Sequence, residues 1–585
     1  MSSDTAAPIG YPEVAGDKGL KGGALGLLSS VVVGMASTAP AYSLAASLGF
    51  VVAAGGSLLA GTKAPAVFML AFIPMYFIAI AYQELNKAEP DCGTTFTWAS
   101  RAFGPITGWL GGWGIIAADV IVMANLAQVA GSYSYTFTGE VGSILGFDWS
   151  GFAGLADNVF WSTVAGLIWI AVMTYICFRG IEVSARLQYA LLGIEVVVLV
   201  VFAIVALVKV YAGTAESYSL TPELSWLWPG GLSFGEVIAP GLLTAFFIYW
   251  GWDTAVACNE ESDDPGKTPG RAAVISTLLL LVTYALVSIA AVAFAGVGTE
   301  GIGLGNEENA ADVFAAIGPE MFGESALGKL GLILLAASIL TSASASTQTT
   351  ILPTARTALS MGVFKAIPTQ FSRVHAKYLT PTWATIGMGI ISAVFYLLFT
   401  LVSPNLLSAL IGSIGLMIAF YYGLTGFACV WFYRKTLTKN TRDLFMQGII
   451  PLAGGVIMLV TFGYGLQQFL LPDWLTDDND ENITIFGLGA VGVVGLLAMV
   501  LGVVLMVVQR AAAPAFFRGE TLPKRGSHDL VLAGLAGAGT DVHARRLPDS
   551  GLPELIIAPD LSNLPEGEHV ADLTTHHEVT PDAEK

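Results

Sequence analysis

Apolar positions along the 585 residues gather into twelve long runs, near 24–58, 65–83, 105–132, 158–178, 187–210, 236–258, 271–297, 327–350, 383–402, 405–432, 446–470 and 484–508. A helix crosses a bilayer core with about 20 apolar residues, so each run predicts one span. The whole pattern predicts an all-α polytopic membrane protein with twelve transmembrane helices. The first run begins behind a polar N-terminal segment and is too long for a signal-peptide core, so it is expected to be retained as a span. Composition agrees: 54% of the residues are hydrophobic and 12% charged, which excludes a water-soluble chain of this size.

Charge orients the bundle. With the N-terminus in the cytoplasm, only Lys63, Lys209 and Lys329 of the 26 Lys and Arg fall outside, and the long segments near 133–157, 298–326 and 471–483 carry none. Basic residues are retained on the cytoplasmic side, so both termini are expected there, in a plasma membrane. The net charge of −18 comes largely from external loops and the tail. These read as solvated acidic faces, and no nucleic acid is expected as a partner. Residues 511–585 form a compositionally distinct cytoplasmic tail in which Asp529 to Gly537 predicts one helix and the rest mobile chain. Cys92, Cys177, Cys258 and Cys429 lie in or beside spans without paired spacing, and His576–His577 has no accompanying ligands. Disulfides, a bound metal and a cofactor are therefore not expected.

Two runs are interrupted. In the first, Gly34-Met35-Ala36-Ser37-Thr38-Ala39-Pro40 puts helix-breaking residues in mid-membrane, and Ser37-Thr38 before Pro40 reads as a hydroxyl cap opening a second half-helix. In the sixth, Trp250-Gly251-Trp252-Asp253-Thr254 repeats the pattern, with Asp253 as the potential cap. A helix breaks in hydrocarbon only where its freed N–H and C=O groups line a cavity or bind something. Five spans separate the two interruptions, an odd number, so the interrupted spans run in opposite directions, as an inverted repeat of five helices requires.

Two further stretches carry a resemblance. "NEESDDPGKTPGRAAVIST" holds Glu260-Glu261, Pro265 and Pro269-Gly270-Arg271, and "GTTFTWASRAFGPITGWLGGW" leads into the third span. They are similar to the acidic-pair, proline and arginine pattern and the glycine-aromatic loop of the amino acid-polyamine-organocation transporters, over about residues 20 to 435. The resemblance implies a LeuT-like fold of five plus five helices with two more at the C-terminal end. On that reading residues 1–22 are an N-terminal tail, 23–215 the first repeat, 216–435 the second, 436–510 the last two spans and 511–585 the tail. Family patterns match Phe247, Gly251 and Asp253 at the sixth-span break, with Asp in place of the more usual Glu. Ala36-Ser37-Thr38-Ala39 stands where the family often has Gly-Ser-Gly. By register after "EVSARLQ", Glu195 takes the place of a helix-five lysine that many members carry.

The expected substrate site is therefore Ala36, Ser37, Thr38, Ala39, Asp119, Phe247, Gly251 and Asp253. Phe247 is the aromatic expected to close over the substrate among Phe247, Tyr249, Trp250 and Trp252. Asp119, Glu195 and Asp253 are the charged residues well inside spans, and such acids face a cavity or a partner. Glu195 is expected to face the carbonyls freed at the first break. It is expected to couple an ion together with Ser342, Ser344 and Ser346 of the hydroxyl-rich "TSASASTQTT". Proton and sodium both stay open, with the deep acid favouring the proton. The expected activity is secondary active import of an amino acid or related amine; an exchanger of amino acids or polyamines, or a transporter-like sensor, are the alternatives. No Gly-x-x-x-x-Gly-Lys-Ser/Thr loop and no His inside a span point to an enzyme. The oligomeric state is left open.

Overall fold

A computed structural model describes residues 18–54, 60–402, 404–474 and 482–524, with the backbone of 540–546 and 553–559. The chain divides into two units, 1–524 and 525–585.

In the first unit the interrupted first run gives α1 (Leu27–Ser37), α2 (Pro40–Ala45) and α3 (Leu48–Val52). Uninterrupted runs give α4 (Ala64–Ala88), α6 (Pro105–Leu145), α8 (Val159–Arg179) and α9 (Ile181–Tyr211), with the short α5 (Thr95–Phe103) and α7 (Ser150–Ala153) between them. The sixth run splits into α10 (Ala239–Tyr249) and α11 (Thr254–Ala257). Then follow α12 (Thr268–Ala295), α13 (Val313–Phe322), α14 (Ala326–Val363), α15 (Thr382–Val402), α16 (Pro404–Tyr433), α17 (Thr441–Asp443), α18 (Ile450–Phe469) and α19 (Ala490–Ala512). Between α18 and α19 lies a small hairpin, β1 (Thr484–Ile485) with β2 (Leu488–Gly489).

Among the described residues, eleven helices are long and apolar enough to cross a membrane. The twelfth expected span is the sixth run, whose break leaves α10 with only 11 residues. The third span also departs from expectation. The sequence placed its end near residue 132, but α6 continues to Leu145 because nothing stops it before Gly146, which turns left-handed at φ 77°.

Deep packing centres on α6 and α14, which touch each other, and on α4 against α12. The end of the bundle where α1 starts and α19 finishes carries most Lys and Arg and is called here the basic end. There the chain after α19 folds back: Phe516 and Leu522 are fully buried against Phe96, Trp109, Met361 and Phe364. Thr521 Oγ1 donates to the Phe364 carbonyl at 2.5 Å, and Arg101 Nη1 donates to the Pro523 carbonyl at 3.1 Å. All four cysteines are buried and free.

In the second unit, β3 (Thr540–Arg546) pairs antiparallel with β4 (Pro553–Pro559), matching Val542 with Ile557. These two segments lie in the tail expected from sequence to be mobile, and "ELIIAP" supplies a β-branched run that a strand accommodates well. Asp529–Gly537 and His576–His577 lie outside the described residues.

Candidate functional site

The first break sits where the sequence places it. Pro40 cannot donate an N–H and its ring crowds the preceding turn, so α1 ends at Ser37 and Ala39 takes a left-handed φ of 46°. The expected hydroxyl cap is not formed. Thr38 Oγ1 donates back to the Met35 carbonyl at 2.8 Å, leaving α2 without a side-chain cap. Asp253 likewise does not cap α11. Its carboxylate instead accepts from the hydroxyls of Tyr421 at 3.1 Å and Tyr422 at 3.0 Å, two residues of α16 that sequence reasoning missed.

The second break falls at Trp250-Gly251, where Gly251 has φ 121°. A Cβ on Gly251 would lie 2.7 Å from the Ser37 carbonyl oxygen. The two breaks are therefore in direct contact, which glycine alone permits. Ser37 Oγ and Thr254 Oγ1 share a hydrogen bond of 2.9 Å, and Ser346 Oγ donates to the Ser37 carbonyl at 2.9 Å. Helices α1, α11 and α14 thus satisfy one another's freed groups.

Two small cavities flank the Trp250 side chain. One is lined by Ser37, Thr38, Ala39, Tyr42, Ser43, Val122, Leu126, Phe247, Trp250 and Ser346. The other is lined by Ser37, Ile115, Asp119, Trp250, Gly251, Asp253, Thr254, Thr350 and Pro353. Of the expected site residues, Ser37, Thr38, Ala39 and Phe247 line the first, and Ser37, Asp119, Gly251 and Asp253 the second. Ala36 lines neither; it packs among Leu192, Ala255, Ala272 and Ala345. Trp250, rather than Phe247, is the aromatic common to both, and its indole N–H donates to the Tyr421 hydroxyl. Tyr249 packs edge-on against Tyr284 and Trp252 stacks on Tyr422.

Glu195 is fully buried and meets the first break, but not by the expected route. Its Oε1 accepts from the Ala41 N–H and from Ser342 Oγ, both at 2.7 Å. It therefore faces the N–H groups that open α2, not the carbonyls that close α1. Its Oε2 has no hydrogen-bond partner, nor does Ser344 Oγ. Asp119 accepts from Thr354 Oγ1 at 2.5 Å. Among the described residues, none of the three acids has a Lys or Arg partner within salt-bridge distance.

Both ends of the site are shut. At the basic end, Ala24 and Leu25 donate their N–H groups to the Glu261 carbonyl, and Glu261 pairs bidentately with the fully buried Arg356 at 2.8 and 2.9 Å. Lys18, ahead of α1, inserts between Asp91, at 2.8 Å, and Glu260, with its ammonium over the Phe364 ring. Burial alone would pull Lys18 down, but the Asp91 and Glu260 carboxylates hold its pKa well above the ordinary lysine value. Burial would push Asp91 up, yet Lys18 and the Thr97 and Ser360 hydroxyls hold it below the usual carboxylate range. Burial prevails at Glu260, which is raised. The acidic pair of the sequence motif thus has two separate partners. At the opposite end, the Tyr133 hydroxyl donates to Asp312 at the start of α13, and Gly49 touches Ala310.

A family profile described as "Amino acid permease" matches residues 25–493. The branched-chain amino acid permease BcaP of Lactococcus lactis is 26% identical over 230 residues, 38% of this chain and 46% of BcaP, so the chain spans about half the length of that relative. The low-affinity putrescine importer PlaP of Escherichia coli is 23% identical over 399 residues, 67% of this chain and 78% of PlaP. The transporter Rv1999c of Mycobacterium tuberculosis is 26% identical over 373 residues, 63% of this chain and 72% of its own length. Among solved structures, MhsT in complex with L-phenylalanine aligns with a TM-score of 0.51 at 15% identity, over 74% of this chain and 98% of that one, a likeness of fold. With its broken helices in contact, its LeuT-like fold and the match over 25–493, this chain belongs to the amino acid permease family, whose members are transporters and not enzymes.

Proposed function

We propose that this protein is a secondary active transporter that imports an amino acid or related amine by alternating access, coupled to protons, in a plasma membrane with the basic end in the cytoplasm. The observation that carries the reading is the contact of the two breaks at Ser37 and Gly251, with a cavity on each side of Trp250. Free backbone groups at paired breaks are how such folds hold a small charged substrate. BcaP and PlaP, named for branched-chain amino acids and putrescine, bracket the substrate class. Closure at both ends describes an occluded arrangement, from which either end opens in turn.

Glu195 supports the proton. One oxygen takes both available donors and the other takes none, so the second is free to carry a proton. A coupling ion acts by binding two arrangements unequally. Charged, Glu195 draws α2 and α14 together through Ala41 and Ser342; neutral, it holds them more weakly. Uptake of labelled amino acids and amines into proteoliposomes, under imposed proton or sodium gradients, tests the reading. Gradient-driven accumulation of at least one substrate is expected, and failure of every amino acid and amine to bind or accumulate would refute it.

A further inference from the structure

The cavity between Asp119 and Asp253 is chemically unlike its neighbour across Trp250. Asp119 and Asp253 are 3% and 6% exposed, both line this cavity, and no cationic side chain of the described residues pairs with either. Asp119 Oδ2 takes the Thr354 hydroxyl, and the Asp253 oxygens take the Tyr421 and Tyr422 hydroxyls, all of them neutral donors. Thr350 lines the same cavity and is 3% exposed. Two acidic residues and a threonine thus line one small space. A buried acid pair without a cation carries an uncompensated charge or an added proton, so the space is suited to a positive group that brings its own donors.

Size narrows that group. The space left for the centre of a water-sized group is about 10 Å³, room for one such group. A primary ammonium is of that size and offers three donors; a planar guanidinium is larger. Ile115, Trp250 and Pro353 supply apolar wall beside it, suited to methylenes.

We infer that the cavity lined by Asp119, Asp253 and Thr350 is a subsite for a primary ammonium at the end of an extended apolar chain, so that the preferred substrate is a diamine or a dibasic amino acid. The inference rests on the transporter reading above. One end of the substrate lies at the first break, among Ser37, Thr38 and Ala39. Its chain passes Trp250, and its terminal ammonium lies between the two carboxylates. Asp119, Asp253 and Thr350 are then specificity-determining residues, and neutral branched-chain side chains leave the acid pair unanswered.

The experiment is a binding comparison on the purified full-length protein in detergent, by competition or thermal shift. Lysine and 1,4-diaminobutane are set against norleucine and butylamine, which match them in chain but lack the terminal ammonium. The wild type is expected to bind at least one of the charged pair ~10-fold or more tightly than its partner; which one does so separates the dibasic amino acid from the diamine. Asp119→Asn should bring that ratio close to one, and Thr350→Val should lower it a few-fold. Because the ratio is read first on the wild type, misfolding of a variant does not rescue the proposal. Equal wild-type affinity for charged and neutral partners overturns the inference while leaving the transporter reading intact. So does an Asp119→Asn variant that keeps its selectivity and loses only sodium or proton dependence. Absence of binding by all four compounds overturns the inference, and the transporter reading falls with it only where every other amino acid and amine also fails in proteoliposome uptake.

Discussion

Replacing Gly251 with alanine adds one methyl group at the point where the two broken helices touch. That methyl would lie 2.7 Å from the Ser37 carbonyl oxygen, 2.8 Å from its carbon and 2.9 Å from Ser37 Oγ. Two of these atoms are backbone, so the strain cannot be relieved by turning a side chain. The residue would also have to hold φ 121°, a region that costs a non-glycine residue about 1–3 kcal/mol. Overpacking adds about 1–3 kcal/mol, so the closed contact loses about 2–6 kcal/mol in all. Ser37→Ala gives the scale for comparison: it removes the hydroxyl bond to Thr254 without moving backbone, a loss of about 1 kcal/mol. Thermal unfolding in detergent and initial uptake rates in proteoliposomes, measured on both variants, separate the two. Gly251→Ala is expected to melt several degrees lower and to lose most transport, with Ser37→Ala intermediate. A Gly251→Ala protein that melts and transports like wild type would show that the breaks do not need to touch.

Glu195→Gln mimics the protonated acid: substrate exchange across proteoliposomes should persist while accumulation driven by a proton gradient is lost, and undiminished accumulation would make Glu195 a structural acid only. Lys18→Met strands Asp91 and Glu260, and losing one member of a buried pair costs about 3–5 kcal/mol, so the buried Cys92 beside them should become faster to label with a maleimide from the basic end; unchanged labelling would dismiss Lys18 as a latch. Asp91, held below its ordinary value, contributes to closure above the carboxylate range and loses that contribution as pH falls through its lowered pKa. Lys18, held above its ordinary value, contributes below the lysine range and loses it as pH rises through its raised pKa. Cys92 protection should accordingly be flat around neutrality and fail below about pH 4, and a steep change near pH 7 would contradict the pairing. Arg356→Lys keeps the charge but not the two-pronged contact with Glu261, and should lower the melting temperature, as followed by tryptophan fluorescence; an unshifted transition would refute it.

Local chemistry was readable from sequence and distant pairing was not. Pro40 and Gly251 announce their own breaks because ring closure and the missing Cβ act within the chain's own turn. What the freed groups then bind depends on residues far along the chain. Asp253 is drawn to tyrosines 168 and 169 positions away, so an acid written like a cap serves α16. Glu195 reaches Ala41 from 154 positions away, and register alone could not say whether it meets carbonyls or N–H groups. Thr350 was one hydroxyl among many in its stretch, without a local signal that it lines the acid cavity. The α13 helix was hidden in a segment whose polarity reads as loop, although Asp312 is a proper cap, accepting from the Ala315 N–H at 3.1 Å.

The fold-back after α19 bears on how the protein is made. Phe364 is the floor under Lys18, and its own underside is covered by Phe516 and Leu522, which leave the ribosome only after the last span. During synthesis the apolar surface formed by Phe96, Trp109, Met361 and Phe364 stays open, and chains emerge and pack in order. The basic end is therefore covered by residues that follow the last membrane helix of the described residues. A nascent chain stalled before Phe516 would hold every membrane helix of the described residues with that apolar surface still uncovered.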